Sequence, residues 1–235
     1  MKRIILILPL LFAISCTHTN ELAKYDVDGA KIFTTTFVKP EASVIQITTV
    51  TSNQKKEKES VLEQIASSIG SDLITYEKRR ALEKAIDTEM LIEKVAEGLE
   101  NSLQAYLNMK SVDALDDSTD FICDIVLEEC ELVVEQNTVS IKMYSIAEIK
   151  ERKSGELVWA NSENRTNYLN LDFSSSKGNT TEQNLINTIQ LLLVDEAKLV
   201  AAVSGAADEI GMEMGETLRE DVIEANKDKN KAGKK

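Results

Sequence analysis

Histidine is almost absent: the 235-residue chain holds one, His18, on a polar stretch near its N-terminus. A Ser–His–Asp triad and a histidine-rich zinc site both need a firmly placed imidazole, so neither is expected. Cysteine is scarce too, at Cys16, Cys123 and Cys130, and no second pair is present to complete a structural zinc site. Only Pro9 and Pro40 interrupt the chain, so long helices meet few breakers. Trp159 is the sole tryptophan, which leaves little for sugar stacking. After residue 14 no apolar run is long enough to span a bilayer; the best, Leu191–Val194, is soon broken by Asp195, Glu196 and Lys198. Bases are outnumbered, with 27 Lys and Arg against 40 Asp and Glu, a net charge of −13. Such a chain repels nucleic acid and anionic headgroups, so nucleic-acid binding is excluded as a main activity. No serine elbow, phosphate loop or dinucleotide fingerprint occurs.

What the chain does have begins at its first residue. Met1-Lys2-Arg3 is followed by Ile4 to Ile14 without a charge, then Ser15-Cys16. A basic start, a short apolar stretch and a small residue make the pattern of an export signal. Ala13-Ile14-Ser15-Cys16 resembles the lipobox of bacterial lipoproteins, with Ala13 where that family usually has Leu. The resemblance implies cleavage between Ser15 and Cys16, a diacylglycerol on the Cys16 thiol and usually acylation of its amine. Two or more chains anchor stably where one is marginal. Thr17, rather than Asp, after the cysteine implies sorting to the outer membrane. Loss of residues 1–15 removes Lys2 and Arg3 and no acid, so the mature chain carries −15.

Residues 16–30 are polar and predict a lipidated tether. Lys31–Val38 and Ser43–Ser52, dense in Ile, Val, Thr and Phe, predict strands on either side of the turn signal Lys39-Pro40-Glu41. From Glu57 the period becomes helical. Val61, Leu62, Ile65 and Ile69 form one stripe; Leu82, Ile86, Met90, Leu91, Val95, Leu99, Leu103 and Leu107 form a second, longer one. Beyond an acidic loop, Asp113–Asp120, the segments Phe121–Val134, Val139–Ile149 and Leu157–Asn164 predict an antiparallel meander closed by Arg152-Lys153-Ser154-Gly155-Glu156. Thr180 with Gln183 fits a capping box, opening a long helix through Leu199, Val203, Ala207, Ile210, Met214, Leu218 and Val222. Residues 226–235 form a basic tail expected to be disordered. The expected fold is α+β: a largely antiparallel sheet on long helices, with residues 31–225 as a single domain.

Thr119-Asp120-Phe121-Ile122 after a helix, then Ser154-Gly155-Glu156-Leu157-Val158-Trp159, is similar to compact α/β domains of envelope lipoproteins. These include the curli-secretion channel lipoprotein and the lipoprotein activator of a penicillin-binding protein. The resemblance covers residues 85–165 and implies an assembly or regulatory part. It carries no functional residue across.

The remaining residues with chemistry in them read blandly. Cys123 and Cys130 are seven apart, about 23 Å of extended strand, against a Cα limit near ~6.8 Å for a disulfide. Odd spacing also sends them to opposite faces, so two buried thiols are expected, and a bridge would need a bulge near Glu128-Glu129. Asp113, Asp116, Asp117 and Asp120 lack the spacing and glycine of a calcium loop. Ala207, Gly211 and Gly215 put small residues four apart; packing onto the sheet is expected ahead of a helix–helix contact. No catalytic group, metal or cofactor is implied. The expected function is a membrane-anchored, non-enzymatic binding or assembly component acting on an envelope protein partner. A carrier of a lipid or other apolar ligand is the second reading. A hydrolase using carboxylates alone is the third, recognisable by two acids converging with one raised pKa.

Overall fold

The computed structural model describes residues 18–42, 46–50, 86–135, 138–169 and 196–232. In chain order it contains β1 (Thr19–Asn20), a 3-10 turn (Leu22–Lys24), β2 (Lys31–Val38), β3 (Gln46–Val50), α1 (Thr88–Leu107), β4 (Lys110–Ser111), β5 (Phe121–Glu135), β6 (Thr138–Glu151), β7 (Leu157–Leu169) and α2 (Glu196–Ala232). The architecture is α+β. One seven-stranded sheet has the order β1-β7-β6-β5-β2-β4, with β3 also on β5. Both helices pack against the sheet and against each other.

Alternation builds the centre of the sheet. Along β6, Val139, Ile141, Met143, Ala147 and Ile149 are buried, while Lys142, Tyr144 and Lys150 on the other face are partly exposed. β5, β6 and β7 form an antiparallel meander, closed at Gly155, whose φ of +72° suits a residue without Cβ. The other half of the sheet departs from the antiparallel expectation. β2 runs parallel to β5 from Ile32–Phe121 to Val38–Leu127, and β3 runs parallel to the same strand from Gln46–Glu131 to Val50–Glu135. The chain around Pro40 therefore steps aside and continues forward, making two successive strands along one edge of β5.

That step lies opposite an irregularity. The β5–β6 register shifts between Leu127 and Glu129, leaving Glu128 as the extra residue of a bulge. The bulge corrects the expectation for the cysteines. It resets the alternation, so Cys123 and Cys130 both point into the core, opposite Ile149 and Met143.

α1 starts at Asp87, whose carboxylate accepts from the backbone N–H of Glu89 at 3.0 Å and of Met90 at 3.4 Å. It ends in a Schellman motif. Asn108 adopts φ +53°, and the N–H groups of Asn108 and Met109 bond to the carbonyls of Gln104 and Leu103. The predicted stripe is the buried one: Leu91, Val95, Leu99, Leu103 and Leu107 are at most 6% exposed. α2 buries Leu199, Val203, Ala207, Ile210, Met214 and Leu218.

The small residues of α2 serve a helix–helix contact, not the sheet packing expected. A Cβ on Gly211 would sit 2.5 Å from the carbonyl oxygen of Val95 and 3.1 Å from Cα of Gly98, both on α1. A Cβ on Gly98 would meet Gly211 at 3.0 Å, and Gly215 lies against Ser102. Backbone meets backbone where the helices cross.

Both ends of the chain correct the sequence reading. Residues 18–30, expected as tether, supply β1 and the 3-10 turn, with Leu22 and Val27 buried in the core. Residues 226–232, expected as part of a disordered tail, continue α2. The stripe beginning at Val61 and the Thr180–Gln183 capping box lie outside the described residues. No helix among those residues is long and apolar enough to cross a membrane.

Candidate functional site

Cys16 and the Ser15–Cys16 junction lie outside the described residues, two positions before the fold begins. The fold takes hold at His18. Its Nε2 lies 3.0 Å from Oδ1 of Asp221 on α2, so His18 is half-exposed and partnered, which corrects its reading as a solvated tether residue. Thr19 and Asn20 then pair antiparallel with Ala160 and Trp159 of β7, and Glu21 donates its N–H to Val158 at 2.8 Å. Asn20 turns the chain: its Oδ1 accepts from the N–H of Leu22 at 3.3 Å, and its Nδ2 donates to the Asp221 carbonyl at 3.1 Å.

Asp221 is the centre of this junction. It is 5% exposed, and its Oδ2 accepts from the indole Nε1 of Trp159 at 2.7 Å. Trp159 is fully buried. A carboxylate out of water is tolerated only when donors replace the lost hydration. Here an indole and an imidazole do so, and each fixes a different piece of chain: β7 and the N-terminus. Sequence reasoning missed Asp221. The signal was an acid three residues from Leu218 and four from Ala225, within the apolar face of α2.

The other candidates resolve into structural roles. Cys123 and Cys130 are free and buried, and burial pushes the Cys130 thiol up to about 12 and the Cys123 thiol higher still. In the acidic loop Asp116, Asp117 and Asp120 engage different donors. Asp116 accepts from the Ser118 N–H and hydroxyl at 2.7 and 2.6 Å, which lowers its pKa. Asp117 pairs with Arg152 at 3.1 Å, and Asp120 accepts from the Lys31 N–H at 3.0 Å. Among the described residues no group of metal-ligating side chains converges. Glu128 and Glu129 diverge at the bulge, one to Lys39 and the other toward Lys142.

Two acids do converge between β7 and α2. Arg165 bonds Glu163 at 3.0 Å through Nε and pairs with Glu213 through Nη2. Burial raises the Glu163 carboxyl above its ordinary 4.5; Arg165 works against that shift and Glu213 adds to it. Arg165 bridges the pair, so the cluster braces strand to helix. Because the folded-state pKa is raised, the contribution of Glu163 is full below pH 4.5 and is lost as pH rises through the raised value. Thermal unfolding followed against pH should therefore give a flatter curve for Glu163→Gln than for wild type above pH 4.5. Parallel curves would show that Glu163 is not the titrating group. Beyond this brace lies a cavity of about 430 Å³ lined by Tyr168, Leu169, Ala201, Ala202, Gly205 and Ala206, among others.

No protein-family model matches the sequence, and a search of curated proteins gives no match. Among solved structures, the chain is similar to a Xanthomonas campestris protein of the DUF330 family, with 10% identity over 86% of this chain and 90% of the other, TM-score 0.43. It is similar to a candidate lipoprotein from Caulobacter crescentus, with 11% identity over 55% and 78% and a TM-score of 0.32. It also overlaps the lipoprotein GNA1162 from Neisseria meningitidis, with 9% identity over 72% and 97% and a TM-score of 0.24. Overlaps this loose assign neither a shared fold nor a shared activity.

Proposed function

We propose that the protein is a lipoprotein of the bacterial cell envelope, anchored through Cys16, that works as a non-enzymatic binding or assembly component for an envelope protein. The observation that carries this reading is the N-terminal sequence itself: Lys2-Arg3, an uncharged run from Ile4 to Ile14, then Ser15-Cys16. Thr17 favours the outer membrane over the inner. The fold is consistent with a part that presents surfaces: its conspicuous polar groups are engaged in bracing, in the clamp at Asp221, the Arg165 bridge and the acidic loop. The resemblance to curli-secretion and penicillin-binding-protein-activating lipoproteins points the same way and rests on the hairpin through Gly155 and Trp159.

The decisive experiment is intact-mass analysis of the membrane fraction from cells expressing wild type or Cys16→Ala. Loss of residues 1–15 with added acyl mass in wild type, and its absence in the variant, is the expected result. In-cell crosslinking of the lipidated form should return a reproducible protein partner. A cleaved chain without lipid would sink the anchor.

A carrier of an apolar ligand is the second reading, favoured by the cavity between β7 and α2. Its volume of about 430 Å³ is within the range of small-molecule sites, and its lining mixes alanines and Leu169 with Thr166, Asn167 and Glu209. Native mass spectrometry of protein purified without organic solvent should then show a bound species.

A further inference from the structure

The proposed anchor and the observed fold together leave almost no tether. His18 is held by Asp221 and Thr19 by Ala160, so Cys16 is two residues from a fixed point. Two extended residues reach at most about 7 Å. We infer that the edge of the sheet formed by β1 and β7 lies against the lipid headgroups, fixing the orientation of the whole body on the membrane. This inference rests on acylation of Cys16.

Two further observations fit a lipid surface at this edge. The mature chain carries −15, and an anionic membrane repels most of it. Yet Asn161–Leu169 of β7 holds one acid, Glu163, and one base, Arg165, for a net charge of zero. The other side chains in this stretch are neutral, and Tyr168, 71% exposed, is of the type that favours headgroup depth. Among the described residues, no strand pairs with β7 on its outer side beyond Ala160, so its backbone donors and acceptors face outward there. Lipid phosphates and carbonyls can accept from the N–H groups, and interfacial water can donate to the C=O groups. The far edge of the sheet, at β4, is five strand spacings from β1, or about 24 Å.

The test uses mature lipoprotein purified from membranes, in phosphatidylcholine vesicles containing phosphatidylglycerol and a headgroup-nitroxide lipid. A fluorophore is placed on Tyr168→Cys at the near edge or on Lys110→Cys at the far edge. Cys123 and Cys130 are buried, and the Cys16 thiol is blocked by lipid, so labelling is selective. Quenching is expected to be severalfold stronger at position 168. A flexible Gly-Ser insertion between Thr17 and His18 should abolish that difference. Equal quenching at both sites in protein whose acyl mass is confirmed would overturn the inference and leave the anchor standing, as would a difference that survives the insertion. Absence of acyl mass would overturn both.

Discussion

Gly211→Ala is expected to destabilise the protein, although alanine is the better helix former. The added methyl would lie 2.5 Å from the Val95 carbonyl oxygen and 3.2 Å from the Val95 carbonyl carbon, which belong to the backbone of α1 and cannot rotate away. Helix propensity favours the change by about 1 kcal/mol. Overpacking against atoms that can move only with their helix costs about 1–3 kcal/mol or more. The clash wins, and Gly211→Val, with two further methyls, should lose several kcal/mol. Gly205→Ala on the same helix gives the opposite sign: a Cβ there meets nothing within 4 Å. It should gain up to about 1 kcal/mol from propensity and reduced unfolded-state entropy. Urea denaturation of the two alanine variants measures both. If they shift in the same direction, the helices do not cross at Gly98 and Gly211.

Asp221→Ala is the second large effect. The substitution leaves the Trp159 indole N–H buried without an acceptor and releases His18. A stranded buried donor costs about 1–3 kcal/mol, and the lost bond to a charged group adds to it, so about 2–4 kcal/mol is expected. Trp159→Phe removes the donor together with the need for an acceptor. In the double variant the loss should be smaller than the sum of the two single losses, with a coupling of about 0.5–3 kcal/mol. Hydrogen exchange gives a second readout. The amide of Glu21, which donates to Val158, should exchange much faster in Asp221→Ala. Unchanged protection there would mean that the clamp does not hold the N-terminus.

Local pattern made the centre of this fold legible. β5, β6 and β7 and the buried stripes of α1 and α2 follow from periods of two and 3.6, which depend only on neighbours in sequence. The features missed depend on distant partners. Nothing near Pro40 says whether the chain reverses or continues, because that is decided by where β5 offers an edge. The Glu128 bulge is invisible in an alternation that it shifts by one residue. Gly98 stands unmarked in the sequence of α1; its purpose is apparent only beside Gly211. His18 read as solvent-exposed because its acceptor lies 203 residues away. Of the candidate site, the expectation of an anchor at Cys16 was legible because export and cleavage signals are short linear segments. The clamp that follows it was not.

The same separation sets an order of events in time. β1 can pair only after Trp159 and Ala160 have emerged, and His18 can find Asp221 only once almost the whole chain is present. On the proposed lipidation of Cys16, the modifying enzymes would meet an unpaired strand throughout export. The segment loses its freedom at the end, when α2 docks. A lipidated chain that fails to complete α2 would remain loosely leashed, with its first strand open to proteases. Closure of the N-terminal strand thus reports that α2 has arrived, and on the proposed anchoring the protein would become seated on the membrane in the same step that finishes its folding.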